Sequence, residues 1–240
     1  MSLTSFLKDI LFPKQCFGCG RLGVYICSLC QKQYKTVSSD RCIQCMRRSY
    51  MGLTHPLCRT KYGINEVKSI FAYEGIVKKI IKQIKYRYVY EACDEFLRSI
   101  SLKNRADVSF FGELTGTCEL VPVPLHPARA KERGFNQSLF IVRFFSRLLH
   151  FPVSDMVVSR VKNTKPQVEC RTREERVKNV KGAFSLSLSK NTEAVKGKNY
   201  IIVDDVWTTG STLKEIGTLL KHAGAAKIFA LTIAHGVSQR

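Results

Sequence analysis

Eight residues between positions 16 and 58 restrict what the front of this chain can become: Cys16-x-x-Cys19, Cys27-x-x-Cys30, Cys42-x-x-Cys45 and His55-x-x-Cys58. A two-residue gap lets both ligands of a pair face one ion, and two pairs close the tetrahedral site that zinc prefers. Residues 13–61 around them hold Pro and Gly and little helical periodicity, so an apolar core is not what organises them. Seven of the ten cysteines lie before Lys61, and in a reducing compartment such spacing favours thiolate ligation over disulfides. We expect one or two structural Zn²⁺ ions, with Cys16, Cys19, Cys27 and Cys30 as one set and Cys42, Cys45, His55 and Cys58 as the other. An interleaved pairing would use the same ligands. Zinc would contribute on the order of 10 kcal/mol to a module of this size. Cys93 and Cys118 stand alone and read as small core residues, and Cys170 is isolated as well.

The remaining length suits one mid-sized α/β domain, so two units are expected: residues 1–63 as a zinc-ribbon module with a short helix over 1–12, and residues 64–240 as the larger domain. No apolar run approaches the ~20 residues needed to span a bilayer, and Lys8 and Asp9 interrupt the first stretch, so a cytoplasmic protein without a transmembrane segment is expected. The net charge of +20 is uneven. Residues 1–63 carry ten Lys and Arg against two acids, and residues 119–200 carry sixteen against seven. Both segments are candidate contacts for polyanions, phosphorylated small molecules or nucleic acid.

Beyond the cysteines, periodicity switches between that of strand and helix. Residues 67–74 alternate as a strand, Gly75 ends it, and residues 76–100 place Ile76, Ile80, Ile84 and Val77, Ile81 at helical spacing, with Lys78, Lys79, Lys82 and Lys85 on the remaining face. Strands are expected over 119–125, near 155–160, over 199–203 and over 227–234; helices over 136–149, with Asn136 as N-cap, and over 211–223, ended by Gly224. Residues 163–182 are long, polar and basic, an unusual loop for a compact domain. Strands alternating with helices imply α/β architecture with a doubly wound, mostly parallel sheet.

In such a sheet ligands sit at the carboxyl ends of strands. IIVDDVWTTGST, residues 201–212, has the required order: apolar strand, Asp204 and Asp205, then Thr208, Thr209, Gly210, Ser211 and Thr212 leading into a helix. Gly210 permits a tight turn and close approach, and hydroxyls with helix-start amides can donate to a phosphate. Two adjacent carboxylates beside an anion make sense only if they serve something else, such as ribose hydroxyls and a hard cation like Mg²⁺.

This motif resembles the signature of type I phosphoribosyltransferases, in which two acids hold the ribose 2- and 3-hydroxyls and the following loop wraps the 5-phosphate. The resemblance assigns Asp204 and Asp205 as the ribose acids, catalytic if transfer occurs, and Val203, Val206 and Thr208 to Thr212 as the phosphoribosyl-binding segment. It places a pyrophosphate loop in LVPVPLHPARAKERGFNQS (residues 120–138), with Pro124, Arg129, Lys131 and Arg133. A closing flexible loop would be residues 163–182, with Lys165, Arg171, Arg173 and Arg176 supplying cations. VPVPLHP, RGFNQS, the series Gln167, Arg176, Asn179 and Phe184, and VDDVWTTGST together resemble the ComF family associated with bacterial competence. That family usually carries cysteine pairs in a double zinc ribbon, so His55 stands where a thiolate is expected.

The resemblance implies phosphoribosyl pyrophosphate as ligand, with Mg²⁺, and single-stranded DNA as partner in DNA uptake, together with uptake-helicase or recombination proteins. Arg41, Arg47, Arg48, Arg59 and Lys61, interleaved with Tyr34, Tyr50 and Tyr62, suit phosphate contact plus base stacking. The alternative is a metabolic phosphoribosyltransferase, of the glycosyltransferase class, passing the group to a nucleobase or amine with release of pyrophosphate. Only 28 residues follow Thr212, so an acceptor hood would come from residues 64–118 or the metal module, where no catalytic constellation stands.

Overall fold

The computed structural model describes residues 13–87, 90–187 and 192–236; the helix expected over residues 1–12 lies outside the described residues. Four parallel strands form the central sheet: β1 (Glu66–Ala72), β2 (Glu119–Pro122), β5 (Asn199–Trp207) and β6 (Lys227–His235), in spatial order β1-β6-β5-β2. Register is set by β5, which pairs Tyr200 with Ile228 on one side and with Glu119 on the other. Its run of apolar residues suits a strand covered on both faces. Alternation sends Ile201 and Val203 into one core and Tyr200 and Ile202 into a second.

The first core lies under α2 (Gly75–Arg87), α3 (Tyr90–Arg98), α4 (Leu102–Thr115) and α6 (Gln137–Leu149). The second is capped by α8 (Ser211–His222). The cysteine-rich segment, whose one short helix is α1 (Ser28–Gln31), packs onto both: Ile26, Cys27 and Cys30 join the first core, Ile43 the second. No helix among the described residues is long and apolar enough to cross a membrane.

Several expectations are corrected here. Residues 76–100, read as helical, hold α2 up to Arg87 and α3 from Tyr90, with residues 88 and 89 outside the described ones, and α4 follows from a segment whose apolar residues are too scattered to announce it. The pyrophosphate-loop segment contains α5 (Pro127–Arg133), opened by Pro127 and closed by Gly134 in the left-handed region, φ 67°. The long basic loop contains α7 (Arg173–Val180), whose N-cap Thr172 accepts from the amide of Glu175. The strand expected near 155–160 is β3 (Val158–Arg160), which leaves the parallel sheet to pair antiparallel with β4 (Phe184–Leu186). Asn136 caps α6 as expected, its side chain accepting from Ser138 N.

Candidate functional site

Strand β5 continues four residues past the expected end at Val203, so Asp204 and Asp205 stand on a strand paired to β6 rather than on a loop. The strand's last residue is clamped: Trp207 Nε1 donates to Ser69 Oγ at 2.8 Å, and the indole stacks on His235, with centroids 4.1 Å apart. Burial, with the Arg41 charge second, lowers the His235 pKa to about 4, so this ring is neutral at physiological pH. Beyond Trp207 the chain turns through Thr208, Thr209 and Gly210 into α8. Gly210 is required twice over: φ is 71°, and a Cβ there would lie 2.9 Å from Ile43 Cγ1. Thr209 Oγ1 bonds to Ser211 Oγ at 3.1 Å, tying the loop to the helix start.

An open cleft of about 200 Å³ lies over this strand end. Val206 and Thr208 to Thr212 line it with both acids, as do Arg129 and Gln167. Val203 lies in the core, where its carbonyl accepts from Val123 N at 2.9 Å. Pro124, Lys131, Arg171 and Arg173 are outside the cleft lining; the Arg133 side chain lies outside the described residues. Arg129 instead bonds the carbonyl of Thr164, joining the expected pyrophosphate and flexible segments. Arg176 reaches Thr208 Oγ1 at 2.8 Å, and Arg173 donates to the carbonyl of Gln44, in the second cysteine set, at 3.1 Å.

The residue that sequence reasoning missed is Lys85. Its ammonium sits 2.7 Å from one Asp205 oxygen and 2.9 Å from the other. Burial alone would lower the Lys85 pKa, but the Asp205 carboxylate overrides it and the pKa is raised. Asp204 responds oppositely. Burial and then the neighbouring Asp205 charge push its carboxyl up to about 7, against the pull of Lys85. Ser138 Oγ and the Asp205 amide donate to Asp204 at 3.2 and 2.9 Å. The signal for Lys85 was its position four residues after Ile81, on the apolar stripe rather than the solvated face. Two buried polar atoms at this cleft, Gln137 Nε2 and Gln167 Oε1, have no partner among the described residues, which suits a cleft built for a polar ligand.

Both cysteine sets converge in the sequential arrangement, their ligand atoms within 4.8 Å of one another, and each could hold a metal ion. In the first, Cys27 N donates to Cys16 Sγ at 3.4 Å. Burial raises the Cys16 pKa, yet backbone amides led by that of Cys27 outweigh it and bring the thiol to about 6. Burial and neighbouring thiols push Cys30 up to about 12. Four such sulfurs cannot ionise together without a cation among them, which fits zinc. In the second set, His55 Nε2 faces the carbonyl of Arg48 at 3.0 Å and must carry the proton, leaving the Nδ1 lone pair toward Cys45 Sγ at 3.3 Å. Cys93 and Cys118 are buried in the core as expected.

Residues 136–240 match the phosphoribosyl transferase domain family. The chain is 31% identical to Competence protein F of Haemophilus influenzae over 223 residues, covering 90% of this chain and 95% of that one. The chain belongs to the ComF family. This ComF-family chain is also 32% identical over 210 residues to the DNA utilization protein YhgH of Escherichia coli, covering 85% and 87% of the two chains. With Competence protein ComFC of Bacillus subtilis it shares 27% identity over 222 residues, covering 87% and 83%.

Proposed function

We propose that this ComF-family protein binds phosphoribosyl pyrophosphate with Mg²⁺ at the end of β5, binds single-stranded DNA, and acts from the cytoplasm in DNA uptake beside helicase or recombination partners. The observation that carries the ligand is the juxtaposition of Asp204 and Asp205 with the hydroxyl loop 208–212 and the start of α8. The acids suit ribose hydroxyls and a hard cation, and the loop and helix start suit a phosphate. Arg129, with Lys131 and Arg133 nearby in sequence, supplies charge for the pyrophosphate, and Arg176, with Arg171 and Arg173, for the closing side. Mg²⁺, when bound with the ligand, would neutralise pyrophosphate charge. The relatives' names, two of them competence proteins and one a DNA utilization protein, support the second half of the proposal.

The test is calorimetry with Mg²⁺ and phosphoribosyl pyrophosphate on the zinc-loaded full chain. Asp204→Asn with Asp205→Asn abolishes that binding and leaves salt-dependent binding of single-stranded DNA intact; equal loss of both, with the fold intact, sinks the two-surface proposal. Pyrophosphate release on adding a nucleobase or amine would move the assignment to a metabolic transferase. A cation needs ionised Asp204, so ligand affinity rises with pH up to about 7 and then levels off. The sign for stability is the reverse. The folded state holds a proton that the unfolded state has released, so the ligand-free chain loses stability as pH climbs from the ordinary carboxylate range toward about 7.

A further inference from the structure

Helix α6 serves two places. Its cap and first residues, Asn136 to Ser138, border the acids of β5. From Phe140 to Leu148, about 3 to 15 Å beyond Ser138 by helical rise, it forms one wall of a second open cleft, of about 430 Å³. A spacing of four residues sets Phe140 and Phe144 in one stripe and Arg143 and Arg147 in the next. Helix α3 forms a facing wall with Tyr90 and Arg98, and Arg105 enters from α4.

The cations here are placed rather than scattered. Arg105 donates to the carbonyls of Ile100 and Arg98 at 2.9 and 2.8 Å, which holds its guanidinium 5.5 Å from the centre of the Phe144 ring. Arg98 is paired at 2.8 Å with Asp94, the lone acid among the described residues that line the cleft. Among the described residues no acid pairs with Arg143 or Arg147, and both are exposed. Tyr90 is 56% exposed and meets Phe140 edge-on at 4.5 Å. Four guanidinium groups against one carboxylate select an anion, and aromatic rings between them select one that carries flat apolar faces.

The geometry points to this cleft as a track for single-stranded DNA, with phosphates on Arg105, Arg143 and Arg147 and unpaired bases against Tyr90 and Phe140. It rests on the DNA-binding half of the proposed function and moves the stacking contacts away from the cysteine module. There, Tyr34 is packed between Phe71 and Phe96 and bonded to Ser99, and His222 covers a face of Tyr62 at 3.8 Å. Tyr50 alone of those three is largely open, at 79%. A duplex would keep its bases from the rings of α3 and α6, whereas a single strand offers them.

The test is fluorescence anisotropy of a labelled oligothymidylate with the zinc-loaded full chain across a salt series. Arg143→Gln with Arg147→Gln weakens binding roughly tenfold or more and flattens the slope of log K against log salt by about 1.4, the sum for two lost phosphate contacts. Tyr90→Ala weakens binding roughly fivefold with the slope unchanged. Both keep full affinity for Mg²⁺ with phosphoribosyl pyrophosphate, which reports an intact fold. Arg47→Gln with Arg48→Gln, on the cysteine module, has the smaller effect. If the cleft variants bind like the parent while the Arg47 and Arg48 variant loses binding, the DNA proposal stands and this cleft assignment falls. No oligonucleotide binding by the parent at any salt overturns both. A polyglutamate peptide that displaces oligothymidylate from the parent but fails to bind the Arg143 and Arg147 variant, with Tyr90→Ala neutral, makes the cleft a protein-docking surface instead.

Discussion

The two cysteine sets share one design and occupy opposite faces of the sheet. In each, the residue after the second cysteine lies in the left-handed region, Gly20 at φ 78° and Met46 at φ 64°, and its amide donates back to the first cysteine, Cys16 or Cys42, at 2.8 or 2.9 Å. In each, the flanking chains pair across a bridge, Gln15 with Leu22 and Arg41 with Arg48. What differs is the neighbour. The first set inserts three sulfurs into the core under α2 and α3, away from the ligand cleft. The second is mostly half-exposed, but its loop lays Ile43 against Gly210 and accepts Arg173 at Gln44. One motif thus serves as a core anchor in one place and as a buttress of the loop through Gly210 in the other.

That contrast breaks most visibly when the first set is damaged. Cys27→Ser removes a buried sulfur and its metal together, on the order of 10 kcal/mol, so the full chain should fail to give a cooperative thermal transition; a parent-like transition would make this set dispensable. Metal analysis of the parent should give near two zinc ions per chain. His55→Ala should drop this to one while keeping most of the fold, and weaken phosphoribosyl pyrophosphate binding measured by calorimetry. An unchanged metal count would show that the second set holds no ion. Gly210→Ala attacks the same contact from the other side, combining a left-handed residue with an encounter at Ile43, and should cost about 2 kcal/mol in chemical unfolding. The smallest effect sharpens the comparison instead. Met46→Gly copies the first set's solution and should stabilise by about 1 kcal/mol, while Gly20→Ala destabilises by a similar amount.

Much of this architecture was legible because local signals agreed with the tertiary solution. Gly224 follows α8, Asn136 caps α6, and the apolar run before Asp204 needs both faces covered. The helices α4, α5 and α7 were not legible, since their residues are polar or mixed and show no clear apolar period, although local caps bound them. Within the cleft, Asp204, Asp205 and the loop to Thr212 form one contiguous motif and could be read directly. Lys85, Ser138 and Gln137 come from other elements, and only the fold brings them there. The lysine was hidden for a further reason. Among the many lysines of α2 its charge is not distinctive, and only its place four residues after Ile81 sets it apart.

The clamp on Trp207 has an optical consequence. The chain contains one tryptophan, it lines the cleft two residues after Asp205, and it is stacked on a neutral imidazole. Its emission therefore reports a single place in the molecule, undiluted by any other indole. The protein carries its own fluorophore at the point where a ligand would settle, and a titration can be followed with no label attached.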